Sequence, residues 1–146
     1  VAGTYGLGMS DPAAVSGTGT LYPLATIYID PTDFPSIGAL TTKLRVRAQL
    51  YTNDVAPTGN FTIGLHPITR PATSGGAGLC IYTIGAAVAS SGLVFTTPAA
   101  DGLHSAVGGD FAIPAAGHYI LAVVTTATVA ANGHVHINTN LQMRNT

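Results

Sequence analysis

Two stretches of the chain alternate between an apolar and a polar row of residues. In the first stretch, the inner row is Leu44, Val46, Ala48 and Leu50, and the outer row is Lys43, Arg45, Arg47, Gln49 and Tyr51. In the second stretch, the inner row is Val135, Ile137, Thr139, Leu141 and Met143, and the outer row is His134, His136, Asn138, Asn140, Gln142 and Arg144. Because successive side chains of a β-strand point to opposite faces, this period predicts antiparallel strands with one buried and one polar face.

Short apolar segments separated by turn residues extend this pattern through most of the chain. The segments are 21–29, 40–52, 61–68, 79–88, 93–96, 110–113, 119–128 and 134–144. Gly, Pro, Asn and Asp lie between them, and no segment shows a convincing helical period. About eight strands at this spacing predict an all-β domain, and we expect an antiparallel jelly-roll β-sandwich.

The first twenty residues differ in composition from the rest of the chain. Residues 1–20 are dominated by Gly, Ser, Ala and Thr, which predicts an extended arm or linker, and residues 21–146 form the predicted sandwich domain. Segment 119–124 is apolar on both faces, so we expect a strand that is central in its sheet or whose second face is buried by another subunit.

Charge is scarce in this sequence. Charged residues make up 8%, against about 25% in an average soluble domain, with one lysine and no glutamate. A surface so poor in ions predicts that identical copies share it. The formal net charge of −1 argues against a nucleic-acid partner, and the most apolar stretch, 119–131, is too short to predict membrane insertion.

The histidines are the first candidate site. His134 and His136, at i and i+2 on a strand, would point to one face about 6.5–7 Å apart, a spacing that two zinc ligands can use. A third ligand would have to come from His66 or His118, or from copies of one histidine on a threefold axis. The favoured interpretation is that these are outer-face residues without metal, and we expect no cofactor.

The outer row of the first strand is the second candidate. Lys43, Arg45 and Arg47 hold three of the five cations of the chain, and Tyr51 continues their row. Together they predict a partner-contact face for an acidic partner or for a phosphorylated or carboxylated glycan. A solvated face or a subunit-interface ladder with Asp residues is the alternative.

Signals for catalysis are missing from the sequence. There is no G-x-S-x-G nucleophile elbow, and without glutamate a glycosidase would need two aspartates. Asp30 and Asp33 are close in sequence, but Asp-Pro-Thr-Asp is typical of a turn with a capping aspartate. We therefore expect a non-enzymatic protein, and Cys80, between Leu79 and Ile81, to be a buried thiol.

Four segments carry a resemblance to a known family. They are LTTKLRVRA (40–48), APTGNFTIGLHPIT (56–69), GDFAIPAAGHY (109–119) and LQMR (141–144). The chain resembles, over roughly residues 5–146, the C-terminal region of minor tail proteins from phages of actinobacteria. The pattern Phe111-x-Ile113-Pro114-x-x-Gly117-x-Tyr119 is also similar to trimeric C1q- and TNF-like jelly rolls.

The resemblance implies a virion-surface module, usually trimeric, near the tail tip or along a fibre, and it supplies no catalytic residues. The leading expectation is a tail-associated phage structural protein that contacts other virion proteins and attaches to the host surface, with host glycan as a potential ligand. A capsid decoration protein that clamps capsomers is the alternative. A small glycan-acting hydrolase is the alternative from another class.

Overall fold

The protein is almost entirely β-structure in a computed structural model that describes residues 4–6, 20–52, 57–69, 83–125 and 135–146. The strands are β1 (Thr4–Gly6), β2 (Thr20–Ile29), β3 (Thr42–Thr52), β4 (Asn60–Thr69), β5 (Thr83–Ile84), β6 (Leu93–Thr96), β7 (Gly102–Val107), β8 (Phe111–Ala112), β9 (Gly117–Thr125) and β10 (Val135–Asn145). A 3-10 turn, Pro31–Asp33, follows β2.

The strands form two antiparallel sheets packed into a sandwich. Sheet A has the order β1-β10-β3-β7, and β8 also pairs with β3. Sheet B has the order β2-β9-β4-β5, and β6 also pairs with β4. The chain crosses between the sheets so that β10 and β3, and likewise β9 and β4, lie side by side. This is jelly-roll connectivity, and the predicted all-β sandwich is confirmed.

The inner rows of the two alternating stretches form one side of the core. Leu44, Val46, Ala48 and Leu50 are at most 2% exposed, and Val135, Ile137, Thr139 and Leu141 are also buried. Met143 is the exception: it is 42% exposed, although it pairs with the buried Leu44 near the end of β10. Sheet B contributes alternate residues of β4 and β9, and the largest of these are Phe61, Ile63, Leu65, Tyr119, Leu121 and Val123.

Strand β9 is central in sheet B, between β2 and β4. Ile120 is 7% exposed and Ala122 is fully buried, although both side chains point away from the core cluster. The prediction of a central strand for segment 119–124 is therefore confirmed.

The motif that carries the resemblance shapes the entry into β9. Phe111 is 3% exposed and packs in the core, and Gly117 begins the strand. The buried Tyr119 donates a hydrogen bond from its hydroxyl to the carbonyl of Ala115 at 2.7 Å. A tyrosine that binds the backbone a few residues upstream fixes a corner of a sandwich, so the motif positions the chain.

The strand predictions differ from the structure in three places. Strand β7 was not predicted, because its pattern is inverted: Leu103 and Val107 are exposed, whereas Ala106 packs against the core. Of the predicted strand 79–88, only Thr83–Ile84 is a strand, and 79–82 lie outside the described residues. Within the predicted arm, Thr4–Gly6 pairs with β10 as an edge strand of sheet A.

Candidate functional site

The outer face of sheet A presents a ladder of polar side chains across β3 and β10. The facing pairs are Lys43 and Arg144, Arg45 and Gln142, Arg47 and Asn140, Gln49 and Asn138, and Tyr51 and His136. Strand β7 adds Leu103, Ser105 and Val107 beside Tyr51, Gln49 and Arg47. We call this surface the sheet A face. It brings the predicted partner-contact residues Lys43, Arg45, Arg47 and Tyr51 together in one row.

Positive charge dominates the sheet A face. Four of the five cations of the chain lie on it. Among the described residues the only ion pair joins Arg144 Nη1 to Asp110 Oδ2 at 2.9 Å. Arg45 Nε donates to Gln142 Oε1 at 3.0 Å, which fixes the direction of the guanidinium. Lys43, Arg45 and Arg47 therefore face solvent with no carboxylate partner in the described part of the chain.

A recess of about 170 Å³ lies between β3 and β10 in the middle of this face. It is lined by Arg47, Ala48, Gln49, Asn138 and Asn140. The Asn140 Oδ1 atom is shielded from solvent and accepts no hydrogen bond from any described residue. The sequence placed these amides in outer rows but gave no sign of the recess, which exists only because the register sets Arg47 opposite Asn140.

Tyr51 and His136 close one end of the ladder. Their ring centroids are 6.2 Å apart, with the ring planes inclined by 39°. Tyr51 is 44% exposed and Leu103 beside it is 66% exposed. This end of the sheet A face is therefore aromatic and apolar, in contrast to the cationic end at Lys43 and Arg144.

The structure separates the histidines proposed as partners in a zinc site. His136 lies on the sheet A face, whereas His66 and His118 lie on the outer side of sheet B. His66 Nδ1 is 2.9 Å from the Gly85 carbonyl oxygen, and His118 forms an edge-on ring contact with Tyr28 at 5.0 Å. Neither can complete a site with His136 within one chain, because the whole sandwich lies between them.

His134 lies outside the described residues, and the threefold-axis arrangement stays a prediction. Within the described ranges, no group of three His, Cys, Asp or Glu side chains is placed to hold a metal ion. Cys80 also lies outside the described residues.

The outer face of sheet B is the chemical opposite of the sheet A face. Its described side chains include no aspartate, lysine or arginine; they are Leu21, Pro23, Thr26, Tyr28, Thr62, His66, Ile68, Ile84, Val94, Thr96, His118, Ile120, Ala122 and Val124. We call this surface the sheet B face. A groove of about 410 Å³ crosses it, lined by Pro23, Thr26, Ile68, Ile84, His118 and Ile120.

Asp30 has the capping role that the sequence predicts for it. Its Oδ1 atom accepts hydrogen bonds from the Thr32 amide at 2.9 Å and from the Thr32 hydroxyl at 2.8 Å. These two bonds, the amide first, lower the pKa of Asp30 because they stabilise the carboxylate. The carboxylate is therefore committed to the turn that ends β2.

Among the described residues, no helix is long and apolar enough to cross a membrane. No known family model, curated protein or solved structure matches this chain significantly. The resemblance to phage minor tail proteins stays a prediction.

Proposed function

We propose that this chain is a structural module of a bacteriophage virion, associated with the tail, that assembles as a homotrimer and contacts other virion proteins and the host surface. The observation that carries the proposal is the sheet B face, on which the described residues place no aspartate, lysine or arginine. Jelly-roll sandwiches occur in viral capsid and lectin domains, which act by assembly or by surface recognition.

The physical argument for assembly is one of hydration and charge. Tyr28 is 57% exposed, Val94 48% and Ile84 38%. Ile84 also lines the groove, together with Pro23, Ile68 and Ile120. An exposed patch of this kind marks an interaction surface more often than a solvated one. The described residues of this patch can be covered without removing a lysine, arginine or aspartate from water, which would cost several kcal/mol per charge.

Threefold symmetry favours the sheet B face over the sheet A face as the shared surface. Around an axis, three copies of one face converge, so every charge on that face is met by two more of the same sign. The cations of the sheet A face would repel one another there, whereas the described residues of the sheet B face bring no lysine, arginine or aspartate together. The sheet A face is then left to meet a partner.

The mass in solution tests the assembly directly. Light scattering coupled to gel filtration should give three times 14.7 kDa for the trimer. A mass of 14.7 kDa at micromolar concentration would overturn the proposal of self-assembly. Immunogold labelling of virions tests the location, since label on the tail supports the proposal and label on the head supports a capsid decoration protein instead.

Paired charge insertions test which face is shared. Val94→Lys adds a cation to the sheet B face, and we expect it to shift the mass toward the single chain because three lysines would converge. Leu103→Lys makes the same kind of change on an exposed residue of the sheet A face and should leave the trimer intact. The reverse pattern would place the shared surface on sheet A.

A further inference from the structure

The recess in the sheet A face combines two chemical demands that one ligand must meet. The Arg47 guanidinium at its wall has no described carboxylate partner, so it offers several donors to an anion. The exposed Asn138 side chain on the opposite strand lines the same recess and offers its amide oxygen as an acceptor. A ligand that satisfies both must carry an anionic group and, beside it, a hydrogen-bond donor.

A second arginine on β3, Arg45, extends the surface that can bind anionic groups. Arg45 stands two residues from Arg47 on the same face, about 6.5–7 Å away at the rise of a β-strand. Its Nε atom is held by Gln142, and no described residue binds its terminal amino groups. Two guanidinium groups at this spacing, of which Gln142 orients that of Arg45, suit repeated anionic groups along a polymer better than a single small ion.

The size and the amides of the recess indicate the rest of the ligand. A volume of about 170 Å³ equals that of five or six water molecules at about 30 Å³ each. That is room for about one sugar ring. Gln49 and Asn138 face each other across the strands at its edge and supply amide donors and acceptors for ring hydroxyls.

We propose that this recess binds one acidic sugar unit, a saccharide unit that carries a carboxylate or a phosphate group, of a cell-surface polymer. The anionic group pairs with Arg47, the neighbouring anion of the polymer pairs with Arg45, and a sugar hydroxyl donates to the Asn138 amide oxygen. This inference rests on the proposed function, because it names the ligand through which a virion module would attach to its host.

Titrations of the assembled protein, followed by NMR chemical shifts or calorimetry, test the inference with four probes. The probes are a galacturonic acid trisaccharide, a glycerol phosphate oligomer, a neutral galactose trisaccharide and polyaspartate. The first two are the acidic polyol probes, and we expect at least one of them to bind at least tenfold more tightly than the neutral trisaccharide and than polyaspartate. The first two probes tell a carboxylate ligand from a phosphate ligand.

Three substitutions on the same face separate the two demands. Arg47→Gln should weaken the acidic probes about tenfold or more, and because Arg47 is exposed the fold is kept. Asn138→Ala should weaken the binding of the two acidic polyol probes at least fivefold and leave the weak binding of polyaspartate unchanged. Arg144→Gln is the matched control: Arg144 is already paired with Asp110 at the far end of the ladder, so affinity should change less than twofold.

Three results would overturn the inference. These are equal binding of the neutral trisaccharide, equal binding of polyaspartate, and wild-type affinity in both Arg47→Gln and Asn138→Ala. The mass measurement keeps this failure distinct from that of the proposed function. A trimer that binds none of the probes refutes only the acidic-sugar site, whereas a single chain that binds them refutes only the assembly.

Discussion

One edge of β4 pairs with β5 and β6, and between these two pairings this edge has no strand neighbour among the described residues. The Ser91 side chain supplies a hydrogen bond to β4 in this gap. Strand β4 pairs with β6 at Ile63 and with β5 at Ile68, and the chain between those pairs is irregular. Ser91 is only 1% exposed. Its hydroxyl accepts from the Leu65 amide at 3.1 Å and donates to the Val88 carbonyl at 2.7 Å.

Replacing Ser91 by alanine removes the acceptor of the Leu65 amide. The Leu65 amide is left buried without a partner, whereas the Val88 carbonyl keeps the Ser91 amide at 3.1 Å. An unsatisfied buried donor costs roughly 1–3 kcal/mol. We therefore expect Ser91→Ala to lower the free energy of unfolding by about 2 kcal/mol, or the Tm by about 4–8 °C for a domain near this size.

Urea unfolding followed by circular dichroism measures this loss, at one fixed protomer concentration because assembly also contributes to stability. Ser105→Ala is the control, since Ser105 is exposed on β7 and should change stability by less than about 0.5 kcal/mol. If Ser91→Ala and Ser105→Ala were equally stable, the hydroxyl would not be what satisfies the Leu65 amide, and the reasoning would be refuted.

Two further predictions concern charged groups. The two Thr32 hydrogen bonds lower the pKa of Asp30 in the folded state, so their stabilisation is present above the unfolded pKa of 3.8 and is lost as the pH falls through the lower folded pKa. Asp30→Ala should therefore be less stable than wild type at neutral pH, and this difference in stability should disappear in strong acid. Urea unfolding from pH 7 to 2 measures it. A difference that does not depend on pH would contradict this assignment. Asp110→Asn removes the only described ion pair, in which the Arg144 side chain is 44% exposed. Because exposed ion pairs contribute little, this change should alter the free energy of unfolding by less than about 1 kcal/mol. A larger loss in the same assay would show that the pair is structurally important.

The sequence alone determined the fold class and much of the core. A half-buried strand is predicted by the alternate positions of Leu44, Val46, Ala48 and Leu50. Residues at every second position lie on one side only in an extended chain. The same period put Lys43, Arg45, Arg47 and Tyr51 on one outer face. It also failed where local pattern and packing disagree, as at Met143 and in β7, whose exposed Leu103 inverts the usual alternation.

Only the tertiary structure decided which residues meet across strands. Sequence reasoning left His66 and His118 as potential partners of His136, and the sandwich places them on opposite outer faces. It gave no sign that Arg47 and Asn140, separated along the chain by most of the domain, would line one recess. The physical reason is that periodicity fixes the face on which a side chain stands, whereas its neighbours are set by long-range strand pairing and register.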